Sequence, residues 1–503
     1  MENNAIVKGS AATASIILYF LLLTHRGLNA SFDGDDLTNI SFLHGYGRTS
    51  LGAILAAALS IFTPEYRPIG GLYYRILFAV FGLHPAPFRI AFFALLIANL
   101  IAAIVWCRSL SNSMMTTVTA GLFFSFHPAL AALYYSTGTI YDVLCVLFTL
   151  LLLIHYTRIR QARRFVAGNS LIVVLAFYGA ALGSKEMAAT VPAVLVLYEL
   201  IFHPHIRDLN LRLRPVALMT AMTVIEVAIK LLLPNQMNIN PWYAPHYNAV
   251  FVGNSYMHYY RLFFLNDNLT PGTLLGVLVI GLLTAVVSRS RIMLFGMLFA
   301  NLTLIPVCVI LPRGGFVWYM PLLGYALYGG AAVSLFVEKI TGNLLPALLA
   351  APVKAVVFIS LLVGSYIFYS RYARNLGELF LPEQRQLSAM LVAAKRVAPM
   401  LPHGSRVLIE SDPHREVWWV PLFLIRLAYR DPSIWVERAS HLGDNYNPAD
   451  IGIYNIRMRW DGSRYQVISQ PQASQPPVVF DVTPDVPDVF GAVRRGQTAR
   501  IHL

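Results

Sequence analysis

Residues 88–107, FRIAFFALLIANLIAAIVWC, decide the fold, because only Arg89 and Asn99 interrupt an otherwise apolar run. A helix needs about 20 mostly apolar residues to cross the hydrocarbon core of a bilayer, and this segment has that length. Similar stretches recur along the chain, so the sequence predicts an α-helical polytopic membrane protein with about eleven transmembrane helices. The predicted spans are residues 11–29, 88–107, 114–133, 138–157, 168–184, 187–203, 215–233, 273–288, 292–311, 317–337 and 350–370.

The composition of the whole chain supports the same fold class. Charged residues make up 13% of the 503 residues, and the mean hydropathy is +0.59, whereas a soluble domain carries about 25% charged residues. The net charge of +13 is typical of Lys and Arg in cytoplasmic loops that face anionic lipid. We therefore expect membrane lipid among the partners and no nucleic acid.

Positively charged residues predict the orientation of the helices. They collect on alternate connections, such as RIRQARR at 158–164, and such connections are usually cytoplasmic. This leaves the N-terminus inside and, with an odd number of spans, the C-terminus outside. The polar stretches that then fall on the outer face are SFDGDDLTNI (31–40), SKEM (184–187), the segment 234–272 and PRGGFVWYMP (312–321). Their collection on one side of the membrane indicates a functional site there.

The chain divides into three predicted regions. Residues 1–370 form the transmembrane domain, whose first outer loop (30–87) contains the apolar run 51–62, too short to span and predicted to be an interfacial or re-entrant helix. Residues 371–470, where charge and proline rise, form a small α/β extracytoplasmic domain that we expect to be accessory. Its predicted elements are strands at 405–410, 433–438, 451–457 and 464–469 and a helix at 414–430. Residues 471–503 form a Pro-rich tail.

Asp33, Asp35 and Asp36 lie close together in the stretch SFDGDDLTNI. One Asp before a helix satisfies free backbone N–H groups, which explains a single carboxylate and not three. The ligand spacing of a calcium-binding loop is absent. Paired carboxylates near a membrane surface can titrate apart, so that one accepts a proton near neutral pH. Asp35 and Asp36 are therefore candidate catalytic residues, one as general base and the other as a metal ligand or as a group that orients the acceptor.

Three cations on the outer face are candidates for holding a phosphate. Arg67 lies in YRP, Lys185 in SKEM and Arg313 in PRGG. The planar fork of Arg offers paired donors to phosphate, but an interfacial Arg also serves as a snorkelling anchor, and the Lys185–Glu186 pair also fits a solvated turn. Because the flanks of this turn are very apolar, we expect its charges to face a cavity.

Five further residues are site candidates: Glu186, His127, Asp142, Trp318 and Tyr319. A single His at a helix end is more often structural than catalytic. Trp and Tyr at this level are commonly interface anchors. Asp142 lies at the start of an apolar run and needs a partner or water, so it is the hardest of the five to explain structurally.

The order of these motifs resembles the GT-C superfamily of integral-membrane glycosyltransferases. The stretches that carry the resemblance are DDLTNI, YRPIGGLYYRILFAVFGLHPAPFRI with Asn99, FHPALAALYYSTGTIYDVL, GSKEMAATVPAVLVLYELIF and RGGFVWYMPLLGYAL, within residues 10–340. The nearest branch by these motifs is that of the protein O-mannosyltransferases and the transmembrane-tetratricopeptide mannosyltransferases, here without the repeats. Two departures stand out: ALAAL (129–133) is wholly apolar where these enzymes often carry His and Glu, and Thr139-Ile140-Tyr141 supplies no Arg before Asp142.

The resemblance implies a glycosyltransferase that moves a hexose or pentose from a polyprenyl-phosphate donor to an acceptor outside the membrane. It implies Asp35 as base with Asp36 as its partner, and Lys185, Arg313 and Arg67 as the groups that hold the carrier phosphate. A single in-line displacement would invert the anomeric centre. We expect a glycan, lipid or protein acceptor and a bacterial inner-membrane location with the site on the periplasmic side. No nucleotide cofactor is expected, and a divalent metal held by Asp35 and Asp36 remains open.

Two other classes of protein compete with this prediction. A transporter or flippase of lipid-linked substrates would place charges near the bilayer midplane in broken helices, whereas the charges here gather at one face. A non-catalytic membrane scaffold would tolerate the loss of Asp35. The two classes are separated from an enzyme by whether Asp35, Lys185 and Arg313 converge in the folded chain.

Overall fold

The computed structural model describes residues 2–43, 52, 67–204, 209–232, 243–343, 347–397, 401–412, 419–441, 454–462 and 465–469. Helices dominate this part of the chain, as predicted. The helices are α1 (Glu2–Thr24), α2 (Gly34–Thr38), α3 (Pro68–Phe81), α4 (Pro85–Ser111), α5 (Met114–Ser125), α6 (Ala131–Tyr135), α7 (Ile140–Gln161), α8 (Asn169–Leu182), α9 (Val191–Phe202), α10 (Leu209–Leu232), α11 (Ala249–Phe264), α12 (Pro271–Val287), α13 (Arg291–Cys308), α14 (Tyr319–Asn343), α15 (Ala347–Val397) and α16 (Trp419–Tyr429). The predicted interfacial helix at 51–62 and the tail at 471–503 lie outside the described residues.

The helices confirm a multi-pass membrane protein, although not the predicted count. Each of the eleven predicted spans coincides with at least one helix. Among the described residues, six helices are long and apolar enough to cross a membrane, and α5 with the bent segment Pro128–Tyr135 makes up to seven. Helices α8, α9, α10 and α12 are not among these, because they are too short or carry too many polar residues. The number of spans therefore stays a prediction.

Local sequence signals set the ends of several helices. Helix α3 begins with Pro68 at its first position and ends at Gly82, whose φ of +58° suits glycine. The Ser113 hydroxyl accepts a hydrogen bond from the backbone N–H of Thr116 and caps α5. Pro128 follows the bend after α5 and prevents one continuous helix there.

Close packing of α13 and α14 positions the loop between them. A Cβ built on Gly296 would lie 2.5 Å from the carbonyl oxygen of Gly324, so the two backbones approach as only glycine permits. The connecting loop ends in the short 3₁₀ helix Gly315–Trp318. Arg313 lies in this loop, and the helix pair therefore holds it at one end of the bundle.

The C-terminal part forms a four-stranded sheet, which confirms the predicted small α/β unit. The strands are β1 (Arg406–Ser411), β2 (Trp435–Arg438), β3 (Ile456–Trp460) and β4 (Tyr465–Ser469), in the order β2-β1-β3-β4. Strand β1 runs parallel to β2 and β3, and β4 is antiparallel to β3. Helix α16 connects β1 to β2. The predicted domain boundary at 370/371 falls inside α15, which continues from an apolar half into a polar half.

Candidate active site

Helix α2 carries the aspartate cluster and is held by a capping box. The Asp33 side chain accepts the backbone N–H of Asp36 at 2.9 Å, and the Asp36 side chain accepts the backbone N–H of Asp33 at 3.2 Å. This reciprocal pair satisfies two free donors at the helix start. Capping therefore explains Asp33 and one bond of Asp36, and Asp35 takes no part in it.

Asp36 is fully buried and surrounded by hydrogen-bond donors. It accepts a bond from the Tyr74 hydroxyl at 2.9 Å and a short bond from the Thr137 hydroxyl. The guanidinium of Arg89 lies 3.9 Å away and is itself anchored to the Ala30 and Ser31 carbonyls. This environment fixes the position of Asp36, and with it the position of α2.

Asp35 is the accessible member of the cluster. Its side chain is exposed, while a Cβ built on Gly138 would lie 2.9 Å from the Asp35 Cβ, so protein also closes in on it. Crowding by the surrounding protein raises the pKa of Asp35, the neighbouring Asp33 raises it further, and the positive charge of Arg313 opposes both effects. A carboxylate with a raised pKa and an open side is suited to accept a proton.

Arg67 joins two distant segments at the start of α3. Its Nη2 lies 2.8 Å from Glu186 Oε2 and its Nε lies 3.2 Å from both carboxylate oxygens. The guanidinium also lies 5.2 Å from the ring centre of Tyr141. The backbone N–H of Ile69 donates to the Gly183 carbonyl at 3.2 Å, which ties the start of α3 to the turn before Glu186. Arg67 itself adopts a left-handed backbone with φ of +45°, an uncommon conformation for a non-glycine residue.

Lys185 and Asp142 form a buried ion pair. Lys185 Nζ lies 2.6 Å from Asp142 Oδ1, and both side chains are buried. The ammonium also lies 4.9 Å from the ring centre of Phe316, in the loop that carries Arg313. Asp142 thus has the partner that its position in an apolar run requires.

A second chain of charges continues into α10. Lys230 Nζ lies 3.4 Å from Glu186 Oε1 and 2.8 Å from Glu226 Oε1, one helical turn earlier. Glu186 therefore bridges Arg67 and Lys230. Neither Lys230 nor Glu226 was singled out by the sequence, although a Glu–Lys pair inside a predicted span is itself a signal of function.

Tyr243 links the two arginines of the site. The guanidinium carbon of Arg313 lies 4.3 Å from the Tyr243 ring centre, and that of Arg67 lies 5.6 Å from the same centre. Both distances are in the range of cation–π contacts. Six of the predicted site residues form what we call the charged cluster, in which Asp35 takes part through the charge of Arg313 that acts on it: Asp35, Arg67, Asp142, Lys185, Glu186 and Arg313.

The other candidates have packing roles in the structure. The His127 ring stacks on Phe263 at 4.9 Å, and its Nδ1 accepts the backbone N–H of Ala129 at 3.2 Å. Trp318 is fully buried and donates its indole N–H to the Tyr259 carbonyl at 2.8 Å. Tyr319 stacks on Phe124 at 5.2 Å. These contacts explain the three side chains without a role in chemistry.

The aspartates do not form a metal site with other described residues. Within the described ranges, no group of three or more His, Cys, Asp and Glu side chains is placed as metal ligands would be. The carboxylate oxygens of Asp36 instead accept hydrogen bonds from the Tyr74 hydroxyl, the Thr137 hydroxyl and the backbone N–H of Asp33.

The fold that these helices build is similar to that of a solved protein, ArnT. The crystal structure of ArnT from Cupriavidus metallidurans bound to undecaprenyl phosphate has this fold with a TM-score of 0.51, 13% sequence identity, and coverage of 95% of this chain and 100% of that chain. The apo-state structure of the same protein gives a TM-score of 0.47 at 14% identity, over 92% of this chain and 93% of that chain. No family model and no curated protein matches the sequence. The likeness shows the fold and does not support the mannosyltransferase branch in particular.

Proposed function

We propose that this protein is a membrane glycosyltransferase that moves a sugar from a polyprenyl-phosphate donor to an acceptor hydroxyl at the extracytoplasmic face. The observation that carries the proposal is the accessible Asp35 carboxylate with the charge of Arg313 acting on it, at the edge of the charged cluster. The similar fold of a protein crystallised with undecaprenyl phosphate supports a polyprenyl phosphate as the lipid part of the donor.

Asp35 acts as the general base. It removes the proton of the acceptor hydroxyl while the acceptor oxygen attacks the anomeric carbon of the sugar, and the bond from that carbon to the phosphate oxygen breaks. The proton ends on Asp35, the sugar on the acceptor, and the polyprenyl phosphate leaves. One displacement inverts the anomeric centre. The raised pKa of Asp35 makes it a stronger base than an ordinary carboxylate.

Arg313, Arg67 and Lys185 stabilise the leaving phosphate. Fixed cations in a site of low dielectric stabilise developing negative charge because they need no reorganisation during the reaction. Arg67 is oriented by Glu186 and Lys185 by Asp142, so both cations are already held in place before the donor arrives. Such prior ordering lowers the entropic cost of phosphate binding.

Asp36 is a positioning residue in this scheme. Its hydrogen bonds to Tyr74 and Thr137 anchor α2 to α3 and to the segment before α7. Asp35 lies between Asp33 and Asp36, the two residues of the capping box. In this proposal Asp36 acts as the partner of Asp35 through the backbone of α2.

Purified protein in lipid nanodiscs tests the proposal. The probes are short-chain polyprenyl-phosphate hexoses and pentoses, and the readout is release of polyprenyl phosphate with sugar transfer. We expect the wild type to use at least one donor and Asp35→Asn to lose activity while remaining folded. Asp267→Asn is the matched control, because Asp267 is an exposed aspartate in the turn before α12. Full activity of Asp35→Asn, or a wild type that neither uses any of these donors nor binds undecaprenyl phosphate, would overturn the proposal.

A further inference from the structure

The helix that carries Asp35 is too short to be stable by itself. Helix α2 has five residues, and isolated helices shorter than about 12 residues are marginal in water. Its capping box and the bonds of Asp36 hold one side of it. The other side needs a surface to pack on, and the structure supplies that surface from the extramembrane domain.

Helix α16 of that domain contacts α2 and the helical turn that follows it, Asn39–Leu43. The two helices come close at the first residue of α2, where a Cβ built on Gly34 would lie 3.1 Å from Cγ2 of Val420. Val420 is 1% exposed, and it belongs to one hydrophobic cluster with Leu37 and Phe423. The α2 helix and the extramembrane domain therefore share a core.

Helix α15 provides a second attachment beyond residue 371. The hydroxyls of Ser31 and Ser388 form a short hydrogen bond just before α2 begins. Gln384 Nε2 donates a hydrogen bond to the carbonyl of Tyr135 at 2.5 Å. Tyr135 lies two residues before Thr137, whose hydroxyl donates to Asp36. The charge of Glu383, one residue before Gln384, acts on Asp35. The outer half of α15 and helix α16 thus approach the aspartate helix from two directions.

We propose that the extramembrane domain positions the catalytic base, with the Val420–Gly34 contact setting the placement of α2. The inference rests on the proposed function only for the role of Asp35. It gives a positioning role to a domain that the sequence predicts to be accessory. Proton transfer and attack require near-contact geometry, and a displacement of about 1 Å can cost about a hundredfold in rate. A change in the Val420–Gly34 contact that displaces α2 by a fraction of this distance therefore changes turnover.

Gly34→Ala tests the contact. The backbone at this helical position accepts alanine, so the new methyl group acts only by pressing on Val420, which must give by a few tenths of an ångström. We expect turnover to fall about tenfold, with the KM for the polyprenyl-phosphate donor unchanged because Arg67, Lys185 and Arg313 lie outside the contact. Val420→Ala removes the γ-methyl groups of Val420, Cγ2 included, and Gly34→Ala/Val420→Ala is expected to recover most of the turnover that Gly34→Ala loses.

Gly253→Ala is the matched control, because a Cβ at this helical glycine of α11 meets no atom within 4 Å. It should leave turnover and donor KM at wild-type values. Full turnover of Gly34→Ala would overturn the inference. So would a double variant that stays as slow as Gly34→Ala, because the loss would then arise from the backbone and not from the contact with Val420.

Hydrogen exchange of the whole protein in nanodiscs tests the same contact without any substrate. In Val420→Ala, the amides of residues 37–43 should exchange faster than in the wild type, while those of α14 should stay unchanged. Unaltered exchange at 37–43 would overturn the inference, whatever the activity. A wild type without sugar transfer, combined with faster exchange in Val420→Ala, would instead overturn the proposed function and leave the positioning of α2 by α16 standing.

Discussion

Lys185 Nζ lies 2.6 Å from Asp142 Oδ1, and the two residues are 43 positions apart in the sequence. Asp142 lies in the first turn of α7, Lys185 lies in the connection after α8, and both side chains are buried. A buried charge is tolerated when it is paired, so the contact explains why an aspartate and a lysine both lie next to apolar runs.

Asp142→Asn should destabilise the protein, because it leaves the Lys185 ammonium buried without its carboxylate. Removing one partner of a buried pair costs about 3–5 kcal/mol, and the expected loss in the free energy of unfolding is of this size. Denaturant unfolding in mixed micelles measures it. Asp142→Asn/Lys185→Met removes both charges and should recover part of the stability. If Asp142→Asn is as stable as the wild type, the Asp142–Lys185 pair is not required for the structure.

Arg313→Ala should weaken the binding of undecaprenyl phosphate. A hydrogen bond to a charged group contributes about 1.5–3 kcal/mol, which corresponds to about tenfold to a hundredfold in Kd. Equilibrium titration of the lipid into nanodiscs that hold the protein measures this change. Arg108→Ala is the control, because Arg108 is an exposed arginine at the end of α4, on a connection predicted to be cytoplasmic. Equal affinity of the wild type and Arg313→Ala would remove Arg313 from the phosphate site.

The pH dependence of transfer should report Asp35. The base form is lost as the pH falls through the pKa of Asp35, and crowding by the surrounding protein, with the charge of Asp33, raises this pKa above the value of about 3.9 for a free aspartate. The acid limb of kcat/KM should therefore lie well above pH 4. Arg313 favours the charged carboxylate, so Arg313→Ala should move the limb to still higher pH. A limb that moves downward or stays in place in this variant would show that Arg313 does not act on the base.

Asp35→Asn should raise the stability of the folded protein at neutral and alkaline pH. A carboxyl group with a pKa raised on folding stabilises the protonated folded state, and that stability is lost as the pH rises from the unfolded pKa through the folded pKa. The neutral amide does not titrate and escapes this loss. Thermal unfolding at pH 5 and pH 8 measures the effect, and the gain of the variant over the wild type should be larger at pH 8. A variant that is less stable than the wild type at pH 8 would contradict it.

The sequence predicted more of the charged cluster than of its surroundings. Asp35, Arg67, Lys185 and Arg313 were all identified because a charge beside an apolar span is conspicuous in the chain itself. Lys230 was missed because it lies within a predicted span, where the apolar pattern hid it, and Tyr243 was missed because it is one of several aromatic residues in its segment. His127 and Trp318 were also site candidates, as polar or aromatic residues at helix ends, and in the structure they pack against Phe263 and Tyr259.

The apolar runs and the prolines and glycines at their ends determined the membrane class, the helix positions and the small α/β unit, because these depend on residues that are neighbours in the chain. Tertiary structure alone decided which charges meet and which surface α2 packs on. Glu186 and Arg67 are 119 positions apart, and Val420 lies far from Gly34 in the chain. Contacts between such distant residues arise from the packing of whole helices, and no local pattern records them.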